Sequence, residues 1–123
     1  MPYRTIAGEK MDIAKLRDAG IDYEDGLRRC AGNDTLYERL LGMFAQDTNY
    51  AESLEAFGRQ DWDELFSHMH EIKGMSSNLS MTNVYADAAE IVALLRAQDY
   101  DAIASVIDRL KVSYTAAVDA IGA

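Results

Sequence analysis

Apolar residues recur along this chain at intervals of three, four and seven, the period of a helix with one buried face, and nowhere alternate as a half-buried strand would. Met11 to Asp18 read as a short helix that ends at Ala19-Gly20. Asp22 caps a second short helix through Arg29, and Ala31-Gly32 stops it. Asn33 or Asp34 opens a long helix with Tyr37, Leu40, Leu41, Phe44, Ala51, Leu54 and Phe57 inward, ending at Gly58. Asp61, with Glu64 three residues on in a capping-box arrangement, opens the next, which runs to about Leu79. Its inward stripe is Trp62, Leu65, Phe66, Met69, Ile72, Ser76 and Leu79. Thr82 or Asn83 opens another through Ala97, with Val84, Ala88, Ile91, Leu94 and Leu95 inward. Asp99 or Asp101 opens the last, with Ile103, Val106, Ile107, Leu110, Tyr114, Ala117 and Ile121 inward. Residues 1–8 lack such a pattern and read as irregular.

Four long amphipathic helices with short connections predict an all-α fold, an antiparallel up-down four-helix bundle, with the two short N-terminal helices packed on one end or side. Residues 1–18 form an N-terminal extension with a short helix, and residues 19–123 the bundle. A length of 123 residues is one domain with room for one hydrophobic core.

Charge and cysteine usage narrow the classes. A net charge of −9 opposes binding to nucleic acid and to anionic membrane surfaces. No apolar run approaches the length of a membrane span, and Met-Pro-Tyr-Arg-Thr-Ile does not begin a secretory signal. The single cysteine, Cys30, supports neither an internal disulfide nor a cysteine zinc cage, and is expected partly buried near a helix end. The expectation is a cytoplasmic protein.

Chemistry concentrates in His70-Glu71-Ile72-Lys73-Gly74-Met75-Ser76-Ser77-Asn78-Leu79. At about 100° per residue, His70 falls roughly 125° from the inward stripe of its helix, on the solvent side. Gly74 and Ser77 share or border that face, and Lys73 lies between it and the stripe. Imidazole remains substantially neutral, and so nucleophilic, near physiological pH. Gly74, one turn on, removes a side chain that would obstruct the ring and an arriving phosphate. Lys73 offsets phosphoryl charge, Ser77 keeps the next turn low, and the run points to phosphate carried on His70. His68, two residues away, lies on another side of the helix, makes no helical metal pair with His70, and is expected at the edge of the core.

The run resembles the signature of histidine-containing phosphotransfer (HPt) domains of bacterial phosphorelays: His70, two variable residues, Lys73, Gly74, then Ser76-Ser77 and Asn78-Leu79. The resemblance extends over about residues 19 to 121. It takes in Gly20-Ile21-Asp22, Gly26-Leu27-Arg28-Arg29, Gly32-Asn33-Asp34, Leu36-Tyr37, Asp61-Trp62 and Arg96-Ala97-Gln98-Asp99. It implies a phosphocarrier without an ATP-binding or autonomous catalytic site. His70 accepts a phosphoryl group from a receiver-domain phospho-aspartate and relays it to another receiver aspartate. The partners implied are receiver domains of response regulators, a hybrid sensor histidine kinase, or both, and the chain is expected to be a monomer. No cofactor of its own is implied, since the magnesium ion sits on the receiver. Asn78 and Leu79 settle the helix end; Phe66, Met69 and the surface near Phe44 and Asp47 are candidates for the docking patch. Ser80 stands where glycine is common, which leaves the form of that helix end open, and Met69 where alanine often precedes the histidine.

Two rivals remain in view. A receiver-docking bundle that never carries phosphate shares the surface but has no use for His70 with Lys73 and Gly74. A fragment of a sensor-kinase dimerisation domain shares His70-Glu71-Ile72-Lys73, but Gly74-Met75 follow where Thr-Pro is usual. Two histidines on different faces give a metal or haem bundle little support, and no Walker-type, GxGxxG or Ser-His-Asp pattern occurs.

Overall fold

Side-chain caps start four of the helices, and each sits where the sequence changes from polar to apolar-periodic. Asp12, Asp22, Asn33 and Asp61 each accept a hydrogen bond from the backbone N–H three residues on, at 3.0–3.2 Å. The structure is a computed structural model that describes residues 11–122. Within them lie α1 (Ile13–Asp18), α2 (Tyr23–Arg29), α3 (Asp34–Gln46), α4 (Asn49–Gly58), α5 (Trp62–Asn78) and α6 (Thr82–Arg96). A 3₁₀ turn (Tyr100–Ala102) then leads into α7 (Ile103–Ile121), and no strand occurs among the described residues. The irregular stretch read over residues 1–8 lies outside them.

The bundle is the all-α, up-down arrangement that the pattern predicts. Helix α5 packs between α4 and α6, α6 packs on α7, and α3 closes against α7. Helix α1 rests on α7 and α2 on α3, so the short helices flank the bundle. Leu41, Leu65, Met69, Ile72, Ala88, Ile91, Ile107 and Leu110 are buried at its centre. Two stacked ring pairs tie the connections to the core: Tyr50 on Tyr114 at 3.8 Å between centroids, and Trp62 on Tyr100 at 4.6 Å.

One expected helix is not continuous. The long helix read from Asn33 to Gly58 is two helices, α3 and α4, broken at Asp47–Thr48. Asp47 is extended, with φ −69° and ψ 144°. Its carboxylate accepts hydrogen bonds from the backbone and side-chain N–H groups of Asn49, at 2.8 and 2.9 Å. That local bonding competes with helix continuation. The break resets the helical phase, so Ala51, read as inward, is exposed, while Ser53 and Ala56 are buried.

The capping box at Asp61 is half made. Asp61 accepts from the Glu64 N–H, but its own N–H donates to the Ala56 carbonyl. The Glu64 carboxylate turns instead to Arg59.

Ser80 settles the end of α5 in the usual form. It adopts φ +57°, its N–H donates to the Ser77 carbonyl, and the Met81 N–H donates to the Ser76 carbonyl. The Ser80 hydroxyl donates to Asp25 at 2.6 Å, and its carbonyl accepts from the Asp22 N–H at 2.8 Å, which pins α2 to this corner. The Tyr37 hydroxyl donates to the Leu79 backbone carbonyl at 2.7 Å, which ties the end of α5 to α3.

Candidate functional site

Helix α5 buries Leu65, Met69, Ile72 and Ser76, a spacing that turns its opposite face to solvent. His70, Gly74 and Ser77 lie exposed on that outer face, and Lys73 is half-buried at its edge. The structure thus brings together the four residues that the sequence singles out, on two turns of one helix whose inner side is locked in the core. Ser76, beside them in sequence, points inward and donates to the Ile72 carbonyl at 2.7 Å.

Neither ring nitrogen of His70 has a hydrogen-bond partner among the described residues, so a lone pair is open to solvent. The ring is held by stacking: it lies nearly parallel to Phe66, one turn earlier, at 5.9 Å between centroids and 11° between planes. Helical side chains lean toward the N-terminus, which accounts for the choice of neighbour. Lys73 pairs with no carboxylate among the described residues. Its ammonium is therefore available to a phosphoryl group at no loss of an existing contact.

Gly74 decides between two explanations of a glycine inside a helix. If it served close helix packing, a side chain there would collide with a neighbour. A Cβ built on Gly74 meets nothing within 4 Å, the His70 ring included. Its backbone is helical rather than left-handed. Close packing against a neighbouring helix therefore does not account for this glycine.

His68 is half-buried, with Nδ1 at 2.8 Å from Asn49 Oδ1, and so bridges α4 to α5 as an edge-of-core residue. Cys30 caps the end of α2, partly buried. No group of three or more potential metal-ligating side chains occurs among the described residues. No helix among them is long and apolar enough to cross a membrane.

One of the docking candidates is out of reach: Met69 is fully buried, because it belongs to the inward stripe of its helix. The surface near Phe44 and Asp47 is a groove that both residues line, with Phe44 at its floor, 3 % exposed. Phe66 is half-buried, and the Asp47 carboxylate accepts from Asn49. The accessible apolar residue in this region is Met43, 57 % exposed. With Leu40, Phe44, Asp47, Met75 and Asn78 it lines this groove of about 370 Å³ between α3 and α5. Sequence reasoning missed Met43 because it falls outside the helical stripe, and an exposed apolar residue next to a stripe is the signal that would have found it.

The family model described as the Hpt domain matches residues 39–120, about two thirds of the chain, from α3 through α7 and across the whole His70 run. Neither the curated proteins nor the solved structures yield a match.

Proposed function

The chain belongs to the Hpt-domain family, and we propose that it is a histidine phosphotransfer protein with His70 as phosphoacceptor. Hpt domains act in histidine phosphotransfer within phosphorelays, as carriers that meet receiver domains. The supporting observation is local. An exposed histidine and a lysine, neither with a hydrogen-bond or ion-pair partner among the described residues, stand beside a glycine whose Cβ position meets nothing there within 4 Å.

In the forward step a ring nitrogen of neutral His70 directs its lone pair at the phosphorus of a receiver phospho-aspartate. The N–P bond forms as the aspartyl O–P bond breaks, and that bond's electron pair stays on the receiver carboxylate. The ring then bears the positive charge, with the proton on its other nitrogen. Onward transfer reverses the bonds: a second receiver's carboxylate takes the phosphorus and His70 returns to neutral imidazole. Phosphoryl transfer of this kind is chiefly a matter of alignment and charge. Lys73 supplies charge, while Gly74 and Ser77 leave room for the receiver to approach in line. The magnesium ion belongs to the receiver, and no residue of this chain is assigned to hold it. Receiver domains, alone or within a hybrid sensor kinase, are the partners, and the reading places the protein in the cytoplasm as a monomer.

The test is a relay. A phosphorylated receiver, magnesium and a second, unphosphorylated receiver are mixed with the wild type or with His70→Gln. Movement of label to the second receiver with the wild type alone supports the reading; equal movement with both proteins, or with neither across a broad receiver panel, overturns it.

A further inference from the structure

The ring stack at His70 has a third member. Arg96, at the C-terminal end of α6, places its guanidinium carbon 5.5 Å from the centroid of the Phe66 ring. Phe66 in turn lies parallel to the His70 imidazole. Arg96 is exposed and pairs with no carboxylate among the described residues, although the chain carries a net charge of −9. Arg17, Arg59 and Arg109 each engage a glutamate. A guanidinium over an aromatic face is attracted by the ring's electron density, and two near-parallel rings in offset contact restrict each other's rotation. Phe66 packs partly into the core, so the imidazole rests on a ring that is itself held from below and by α6.

We propose that Phe66, braced by Arg96, is a positioning residue that fixes the plane of the His70 imidazole for in-line phosphoryl transfer. The proposal rests on His70 being the phosphoacceptor. An imidazole with no hydrogen bond to either nitrogen is free to turn about its two side-chain bonds unless something else orients it. Here that something is the stack. It fixes the ring and leaves both nitrogens unblocked, which a hydrogen-bonding partner would not do. The effect belongs to the chemical step, because a ring in the wrong plane misdirects the lone pair even when the receiver is fully bound. Phe66 acts through His70, and Arg96 acts through Phe66.

Two readouts test this on the full chain with Phe66→Leu, Phe66→Tyr and Arg96→Gln. One is the single-turnover rate of transfer from a phosphorylated receiver, followed over receiver concentration. The other is the position of the His70 ring protons in the NMR spectrum of the unphosphorylated protein. Phe66→Leu is expected to lower the saturated rate about tenfold and to leave the half-saturating concentration within about twofold. The His70 ring signals should move to lower field as the ring current disappears. Phe66→Tyr, which keeps the ring, should keep rate and signals, and Arg96→Gln should lower the saturated rate by about threefold. A wild-type saturated rate in Phe66→Leu overturns the proposal, as does a loss confined to the half-saturating concentration, which would make Phe66 a docking residue. Should Phe66→Leu fail to fold, Arg96→Gln, at an exposed position, carries the same comparison. A wild type that takes no phosphate from any receiver defeats the phosphoacceptor reading instead, and the NMR arm still reports whether the stack orients the ring.

Discussion

Replacing Gly74 with alanine separates clearance from packing by the sign of its effect on stability. Glycine inside a helix costs roughly 0.5–1 kcal/mol relative to alanine. The backbone of Gly74 is helical and its missing Cβ would face open space, so no collision offsets the gain. Gly74→Ala should therefore stabilise the protein by about that amount. Unfolding entropy near 60 °C is about 2.1 cal/mol/K per residue, or about 0.26 kcal/mol/K for a chain of this size, so Tm should rise by about 2–4 °C. Transfer should move the other way, slowing by about threefold for alanine and by about a hundredfold for Gly74→Leu, whose side chain would hold the incoming phosphorus away from the ring. Thermal melts followed by circular dichroism and single-turnover transfer from a phosphorylated receiver read both effects. A lower Tm for Gly74→Ala would show that the glycine serves packing after all. An unchanged transfer rate for Gly74→Leu would remove the clearance argument.

Lys73→Gln should change stability by no more than about 0.5 kcal/mol, since the ammonium has no partner among the described residues to lose, but slow transfer about tenfold; a wild-type rate would sink its role in phosphoryl binding. Gly26→Ala should destabilise by about 1–3 kcal/mol, because a Cβ there would sit 2.1 Å from Tyr37 Cζ in the core; an unchanged denaturant midpoint would contradict that packing. At the alkaline end, burial above all, then Asp47 and Tyr50, pushes the Tyr114 phenol up to about 12 from 10.0, and burial also raises Tyr23 and Tyr37. A folded-state value above the unfolded one gives stability that is complete below pH 10 and lost as pH rises toward 12. Tyrosinate absorbance from these residues should therefore appear together with loss of helical circular dichroism; full ionisation of all tyrosines near pH 10 in a still-folded protein would refute it.

The exposed placement of His70 could be read from the sequence because the stripe of α5 is large and unambiguous. Leu65, Met69 and Ile72 fix the phase of the helix, and His70 then has only one side to occupy. The break at Asp47 was hidden by coincidence. Phe44 and Ala51 are seven residues apart, which imitates two uninterrupted turns, and alanine and serine say little about burial. Asp47-Thr48-Asn49, three residues that compete for backbone hydrogen bonds, was the local sign that the helix stops. The helix ends were legible even where Ala31, Gln60, Ser80 and Gln98, rather than glycine, take the left-handed positions, because the apolar stripes stop there. Phe66 and His70 at a spacing of four are visible as neighbours. The contribution of Arg96 is not, because it arrives from another helix and depends on how α6 packs on α5. Met69 misled as a docking residue because proximity to the site was weighed without its own burial.

Phosphate on His70 is the central claim, and its most direct measure is the chemical stability of label on the protein itself. After exposure to phosphorylated receivers and magnesium, the wild type should carry phosphate that is lost in acid and kept in alkali. His70→Gln, with unchanged helical circular dichroism, should carry none. Label that survives acid, or label of equal amount on the His70→Gln protein, would contradict the central claim.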